Sequence, residues 1–512
     1  MRFGIGQPVT RKEDARFLTG RGRYVADIDF VRQAHAVLVF SPHAHARVRA
    51  VDKAAAEQMP GVYAVLTGED WGADGLGTLD PEVMAEDMGG PTGFRTKRPP
   101  LAQGRVRNVG ERVAVVIAAT EAQARDAAEL VSVDYEILPA VVHAADAVRP
   151  DAPLLHDGAA NNTSFTMRMG NEGAAAAAFA RAHHITRLAL YNNRLTAVTM
   201  EPRGCIADYD PGTRRYTLYS STQNVHGVRQ TLAHHILHVP ESRIRVVARD
   251  VGGGFGMKGN VYPEEAIIVW AARRVGRPVK WIPSRSEALL GDAQGRDQKV
   301  NAELALDADG KFLALRWTGS HNVGAYIEGA GAIPILFSLK LASTVYEIPA
   351  VAVTSSLVVT NTAPTVPYRG AGRPEAVYIM ERLVDQAARE MGIDPAELRK
   401  KNLIRPDAYP YETRTGWIYD TGNYAAAMAK CQGLADWEGY AARHARSEAA
   451  GKYRGRSITY YVDNTGVFNE RMELRFDPSG EVTIVAGTLS HGQGHETSYA
   501  QKIGRASCRE RV

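Results

Sequence analysis

Hydrophobic positions along the chain follow two periods. Val300, Ala302, Leu304 and Leu306 alternate with other residues, which puts one apolar face on a strand, and Lys311–Trp317 resumes the pattern beyond the turn Asp307-Ala-Asp-Gly310. Two more hairpins have the same form. Cys205–Asp210 and Arg215–Ser220 flank Asp210-Pro211-Gly212, and Met472–Phe476 and Glu481–Val485 flank Asp477-Pro-Ser-Gly480. Strand-like runs also cover Ala34–Phe40, Val62–Leu66, Arg112–Ala119 and Val131–Glu136. Elsewhere the period is helical. Thr120, with Gln123 three positions on, predicts a capped helix whose Ala124, Ala127, Ala128 and Val131 share a face. Further helices are predicted over Asn171–His184, which is alanine-rich, over Pro374–Met391, and from Asp394-Pro395-Ala-Glu397, where Asp caps and Pro occupies the first turn.

This order of elements predicts an α+β protein of several units. Residues 1–22, polar and glycine-rich, form an extended arm. Residues 23–142 form a small α+β domain, residues 143–405 a larger mixed unit ending at a Pro-containing junction, and residues 406–501 a second mixed unit. The first and third hairpins lead into related material. One delivers Ser221-Thr-Gln223 and a helix; the other delivers Gly487-Thr-Leu-Ser-His-Gly-Gln493-Gly-His-Glu496 and a helix-like run. One glutamine at each equivalent turn is what two similar domains facing a shared ligand would give.

The candidate chemistry centres on Gly252, Gly253, Gly254 and Gly256, between an apolar β-branched run and a helical pattern opening near Tyr262. Backbone without side chains can approach a bulky polar ligand and offer it N–H groups. Gly254-Phe-Gly256-Met-Lys-Gly259 matches the G-x-G-x-x-G spacing of dinucleotide turns. That pattern needs an acidic residue at the end of the next strand, and the strand-like Pro278–Ile282 carries Lys280 and no carboxylate. A NAD-dependent dehydrogenase is therefore the weaker alternative. Val366–Ala376 and His491–His495 resemble the glycine run in character: many amide and guanidinium donors, few thiols or carboxylates. Such a set suits an anionic, multi-oxygen ligand held by hydrogen bonds.

Composition narrows the partners. A chain of 512 residues exceeds one core, and 45% hydrophobic with 23% charged residues is ordinary for a globular protein. The balance of 61 basic against 57 acidic residues argues against nucleic acid. No apolar run approaches the ~20 residues that cross a membrane, and Met1–Pro8 has no apolar signal core, so the cytoplasm is expected. Cys205, Cys431 and Cys508 are too scattered for a disulfide framework or a thiolate metal site. His35, His43 and His45 are too loosely spaced for a metal. Gly492 and Gly494 argue against a helical zinc pair at His491 and His495.

Taken together, Ser221-Thr-Gln223, Asp250-Val-Gly-Gly-Gly-Phe-Gly256 with Lys258, Tyr368-Arg-Gly-Ala-Gly-Arg-Pro-Glu-Ala376 and Gly492-Gln-Gly-His-Glu496 resemble the loops of the molybdenum hydroxylases. The resemblance is to the molybdopterin-binding large subunit of this family, which includes xanthine dehydrogenase, aldehyde oxidase and aerobic carbon monoxide dehydrogenase. Gly6-Gln-Pro, Arg16-Phe-Leu-Thr-Gly-Arg-Gly-Arg-Tyr24, Ser41-Pro-His-Ala-His-Ala-Arg47, Val109-Gly-Glu111, Asp134-Tyr-Glu136 and Met200-Glu-Pro-Arg-Gly204 extend it across the chain as far as Gln501.

The resemblance implies an α/β-hammerhead-like domain at 23–142 and two related molybdopterin-binding domains at 143–405 and 406–501, the second incomplete. It implies that Gln223 hydrogen-bonds an oxygen ligand of molybdenum and that Gly253, Gly254, Phe255 and Gly256 approach the metal through backbone. Arg369, beside Gly370, would help place the substrate. Gly492, Gln493, Gly494 and His495 would hold the pterin or its phosphates. Gln223, Phe255 and Arg369 are thus the expected catalytic set. The pterin dithiolene would ligate the metal, so no protein side chain is expected to. The implied reaction is oxidative hydroxylation of an aldehyde or N-heteroaromatic compound with water as oxygen source. The implied cofactor is molybdenum-molybdopterin in its cytosine dinucleotide form. FAD and iron–sulfur clusters would sit on two partner subunits in a dimer of heterotrimers.

The chain also departs from the family pattern. Tyr368–Arg373 has no cysteine, where copper-containing carbon monoxide dehydrogenases place one, and Gly259 stands where xanthine-type enzymes have a glutamate after the lysine. The family's catalytic base lies in a Gly-x-Gly-Glu motif past the glutamine loop, and these 512 residues contain none. A truncated, inactive chain is therefore expected, with residues 502–512, four cations and one anion, as a non-native tail. A non-catalytic, cofactor-free partner subunit is the remaining alternative.

Overall fold

A computed structural model describes residues 6–464, 466 and 470–506. The first five residues of the arm, Cys508 and the end of the expected tail, 507–512, lie outside the described residues.

The strand Arg112–Ala118 is buried along its whole length, as its unbroken apolar run requires of a strand covered on both faces. It lies in a seven-stranded sheet ordered Ile244–Val247, Arg215–Ser220, Cys205–Asp210, Val279–Trp281, Ala34–Phe40, Arg112–Ala118 and Val62–Thr67. One face takes the helix Glu121–Ala128 through Val37, Val65, Val116 and Ala118; the other takes the helix Pro263–Val275 through Val115, Ile117 and Trp270. Ala34 pairs in parallel with Val279, so strands from either side of residue 142 hydrogen-bond within one sheet.

A second sheet runs Thr163–Gly170, Ala350–Val359, Phe312–Gly324, Gln298–Leu306 and His184–Asn192. The face carrying Val300, Ala302, Leu304 and Leu306 packs into the largest core with the helix Arg373–Met391. The opposite face carries small residues, Ala305, Ala314, Ala350 and Ala352, which let the helix Glu172–Ala180 lie close. That helix is shorter than the alanine run predicts. Asn171 caps it by accepting from Ala174 N at 2.9 Å, but from His184 onward the chain pairs with Leu306, and ladder formation ends the helix. Arg105–Val106, Ala46–Asp52 and Ser132–Ile137 form a three-stranded sheet, and Met472–Phe476 with Val482–Ala486 a separate hairpin.

Two features of the first sheet position the site. Arg215–Ser220 and Ile244–Val247 are parallel, Tyr216 opposite Ile244, so the loops that follow them leave the same end of the sheet. The helix Pro263–Val275 then begins with Pro263, its cap residue Tyr262 donating its N–H to Glu265 at 3.0 Å, and ends at Gly276 in the left-handed region. Glu264 and Glu265 are both buried in its first turn. Its positive end is therefore already occupied by carboxylates, which leaves a dinucleotide pyrophosphate no purchase there.

Candidate active site

Gln223 is held from two directions. Its N–H donates to Lys258 O (2.9 Å), and its side-chain Oε1 accepts from Gly256 N (2.9 Å). Gly254 lies directly against it, since a Cβ there would stand 2.3 Å from Gln223 Cδ. Gly256 has φ +92°, and its Cβ would be 2.3 Å from Pro367 O, so the glycine run touches the 366–373 loop through backbone alone. Arg369 N donates to Phe255 O at 2.9 Å, and the Arg369 guanidinium stands 6.0 Å from the Phe255 ring. Phe255 itself has φ +52° and is 42% exposed.

Buried polar side chains hold these loops from behind. Lys258, fully buried, donates to Glu201 O (2.9 Å), Glu201 Oε2 (3.1 Å) and Ser221 Oγ (2.7 Å). Glu201 Oε2 also accepts from Ser221 Oγ and Gly252 N, both at 2.7 Å, so one carboxylate ties the glutamine loop to the glycine run. Burial lowers the Lys258 pKa, with Glu201 opposing the shift. Arg296, also buried, donates to Tyr368 O (2.8 Å) and Arg369 O (2.7 Å) and pairs with Glu375, which accepts in turn from Gly372 N (2.9 Å). Gly370 has φ +92°.

The fourth loop reaches the others through His491. Gln223 Nε2 lies 2.8 Å from His491 Nε2, and Gln493 Nε2 lies 3.1 Å from His491 Nδ1. Both amides are fixed in orientation, because Gln223 Oε1 takes the Gly256 N–H and Gln493 Oε1 takes the His491 N–H (2.6 Å). Each therefore turns its NH₂ toward the same ring. Burial lowers the His491 pKa, with His495 and Lys258 adding to the effect against a backbone hydrogen bond at Leu489. A neutral imidazole accepts at one nitrogen only. The ring can therefore accept from only one of the two amides, and the exposed Gln493 presents its remaining N–H to solvent. Gly492 (φ +116°) and Gly494 (φ +79°) make the turn around Gln493, and nothing lies within 4 Å of a Gly492 Cβ. His495 stacks on Tyr499, ring centroids 5.0 Å apart, and its Nδ1 is buried without a partner.

The structure brings Gln223, Gly253, Gly254, Phe255, Gly256, Arg369 and Gly370 into one neighbourhood, with Gln493 joined to it through His491. Sequence reasoning missed Arg296, whose hint was at most a polar stretch, Gly295-Arg-Asp-Gln298, opening a strand; it weighed Glu375 as a partner of Arg369 or Arg373, whereas Glu375 pairs with Arg296. It quoted Glu201 and Lys258 only as motif letters, and His491 as the start of the polar 491–495 loop and as a rejected zinc ligand. Among the described residues no His, Cys, Asp and Glu cluster could hold a metal ion, and no helix is long and apolar enough to cross a membrane. Surplus amide donors, open glycine backbone and the absence of thiols fit an acceptor-rich ligand bearing oxo and phosphate groups.

The comparisons with known proteins agree. A molybdopterin cofactor-binding domain model matches residues 155–403, a second such model matches 430–506, and the aldehyde oxidase and xanthine dehydrogenase a/b hammerhead domain matches 19–139. The carbon monoxide dehydrogenase large chain of Hydrogenophaga pseudoflava is 36% identical across 98% of this chain and 64% of its own length. The nicotine 6-hydroxylase large subunit of Paenarthrobacter nicotinovorans is 34% identical across 97% of this chain and 62% of its own. Quinoline 2-oxidoreductase from Pseudomonas putida 86 superposes with a TM-score of 0.89 at 34% identity, covering 98% of this chain and 64% of that one. The chain thus spans less than two thirds of the length of these relatives. It belongs to the molybdenum hydroxylase family, among the molybdopterin-binding large subunits.

Proposed function

We propose that this chain provides the molybdopterin site of a molybdenum hydroxylase that acts on an N-heteroaromatic compound or an aldehyde. The observation that carries the reading is the surplus of oriented amide N–H groups at Gln223 and Gln493, aimed at one neutral imidazole. When bound, the cofactor supplies a redox centre that accepts an electron pair from the substrate while water supplies the oxygen. Gln223 would donate its free N–H to an oxygen of the cofactor, and Gly253, Gly254, Phe255 and Gly256 would meet it through backbone. Gly492, Gln493, Gly494 and His495 would bind the pterin or its phosphates. Arg369 and Gly370, on the loop braced by Arg296, would orient the substrate against the exposed Phe255 ring. Tyr368–Arg373 offers no thiol, which favours a ring or carbonyl carbon over carbon monoxide. Relatives named for nicotine and quinoline support the heteroaromatic choice.

The same reading assigns the arm to 1–22, the hammerhead unit to 23–142 and the two cofactor-binding units to 143–405 and 406–501. It takes the cytosine dinucleotide form of the cofactor, iron–sulfur and FAD-binding partner subunits in a dimer of heterotrimers, and a cytoplasmic location. Metal and pterin analysis of the purified protein tests it. About one molybdenum and one pterin per chain, with cytidine monophosphate released on acid hydrolysis, is the expected result. Protection by NAD without molybdenum would favour a dehydrogenase. Assembly with an iron–sulfur subunit but no pterin would favour a cofactor-free partner.

A further inference from the structure

The N-terminal arm touches both halves of the site at once. Arg16 Nη1 donates to both oxygens of Asp250, at 2.5 Å each, and Arg16 Nη2 to Glu496 Oε1 at 2.7 Å. Asp250 lies two residues before the glycine run, and Glu496 three residues after Gln493. Asp250 is also held just past the end of the arm by Arg23, whose N–H donates to its carboxylate (2.7 Å) and whose carbonyl accepts its N–H (3.1 Å). On the other side, Thr497 Oγ1 donates to Glu13 (2.5 Å) and accepts from Lys12 N (2.8 Å), while Arg11 donates to Gly492 O (3.2 Å). The arm lies flat on the turn: a Gly494 Cβ would stand 3.3 Å from Arg11 Cδ and 3.4 Å from Glu13 Oε1.

We propose that this arm clamps the glycine run and the Gln493 turn at a fixed separation, with Arg16 as the positioning residue. Two carboxylates, Asp250 ahead of the glycine run and Glu496 in the first turn of the helix His495–Ala506, share one guanidinium, whose planar fork can serve both. Without it, Asp250 and Glu496 become neighbouring like charges that push the two segments apart. A lysine, a single point charge, would satisfy one acid and release the other. That the clamped element is a cofactor site rests on the proposed function; the clamp itself can be read independently.

The test is amide hydrogen exchange across residues 250–256 and 492–499 in the full chain, with pterin content measured in parallel. Arg16→Ala should raise exchange about tenfold in both segments and shorten pterin retention correspondingly. Arg16→Lys should loosen mainly one segment. Adding Glu496→Ala to Arg16→Ala removes the like-charge neighbour and should lower exchange again, a recovery that mere loss of a contact does not give. Unchanged exchange in Arg16→Ala, or a change confined to residues 11–23, overturns the clamp. If Arg16→Ala does not fold, wild-type exchange in Arg16→Lys overturns it equally. A wild-type chain without pterin, but with the exchange pattern above, would leave the clamp standing and remove the cofactor reading.

Discussion

Gly256 and Lys258 sit two residues apart and fail differently when changed. At Gly256 a Cβ meets the Pro367 carbonyl at 2.3 Å and φ is +92°, so neither the neighbour nor the backbone can yield cheaply. Gly256→Ala should cost about 1–3 kcal/mol and separate the two loops, abolishing cofactor retention. Near-normal molybdenum content in that variant would show that this contact does not shape the site. Lys258→Met fits the space but strands the Glu201 carboxylate, whose side chain is only 12% exposed. Breaking a buried pair in this way costs about 3–5 kcal/mol. Thermal unfolding should show that loss, and Glu201→Gln added to it should restore part. If the double variant is no better than the single one, the penalty comes from packing rather than charge. At this scale the sequence displayed which residues were unusual but not what they face. Gln223 and His491 are 268 positions apart, and the orientation of both amides follows from backbone N–H groups that only the fold places.

Local elements were far more legible, because period and caps act within a few residues. Cys205–Asp210 and Arg215–Ser220 form with the predicted bounds, and the 300–306 face is buried as its alternation requires. Ends set by tertiary pairing were read less well. The alanine-rich helix predicted over Asn171–His184 stops at Ala180, because the ladder from His184 to Leu306 ends it. The strand expected over Lys311–Trp317 continues to Gly324, since parallel pairing with Ala350–Val359 carries it on. Caps are a case where sequence and structure coincide and can be tested cheaply. Asp394 accepts from Ala396 N (2.8 Å) and Glu397 N (3.2 Å) at the start of Pro395–Asn402. Asp394→Ala should lower stability by about 1 kcal/mol without touching cofactor content, measured by denaturant titration. A larger loss would mean that the helix depends on its cap for its docking as well as its start.

Across the whole molecule, charges invisible to local pattern join units that the sequence suggested separately. Arg112, on a strand of the first unit, donates to Glu264 (2.9 Å) and Gly291 O (2.7 Å), and Arg203 pairs with Glu264 (2.9 Å) and Asp292 (2.6 Å). Burial would raise the Glu264 pKa, but Arg112 and Arg203 outweigh it and hold the carboxyl down at about 2. Two histidines behave in the opposite sense. Burial lowers His156, which lies 2.8 Å from Ala325 O, and the fully enclosed His321 to about 4 each, from an unfolded value near 6.5. Between pH 6.5 and 4 the unfolded chain takes up two protons that the fold refuses, so stability falls as pH falls through that window and the effect levels off below it. The Glu264 contribution is complete above 4.5 and is lost only as pH drops toward 2. Acid destabilisation should therefore come in two stages, histidines first. Denaturant midpoints across this range should decline from pH 6.5 in the wild type, and His156→Gln combined with His321→Gln should make that decline shallower; His35, His45 and His491, which burial also lowers, keep part of it in place. An unaltered decline in the double variant would mean that both rings bind their protons within the fold, and that the buried surroundings of Ala325 and Thr365 hold charge more readily than their enclosure implies.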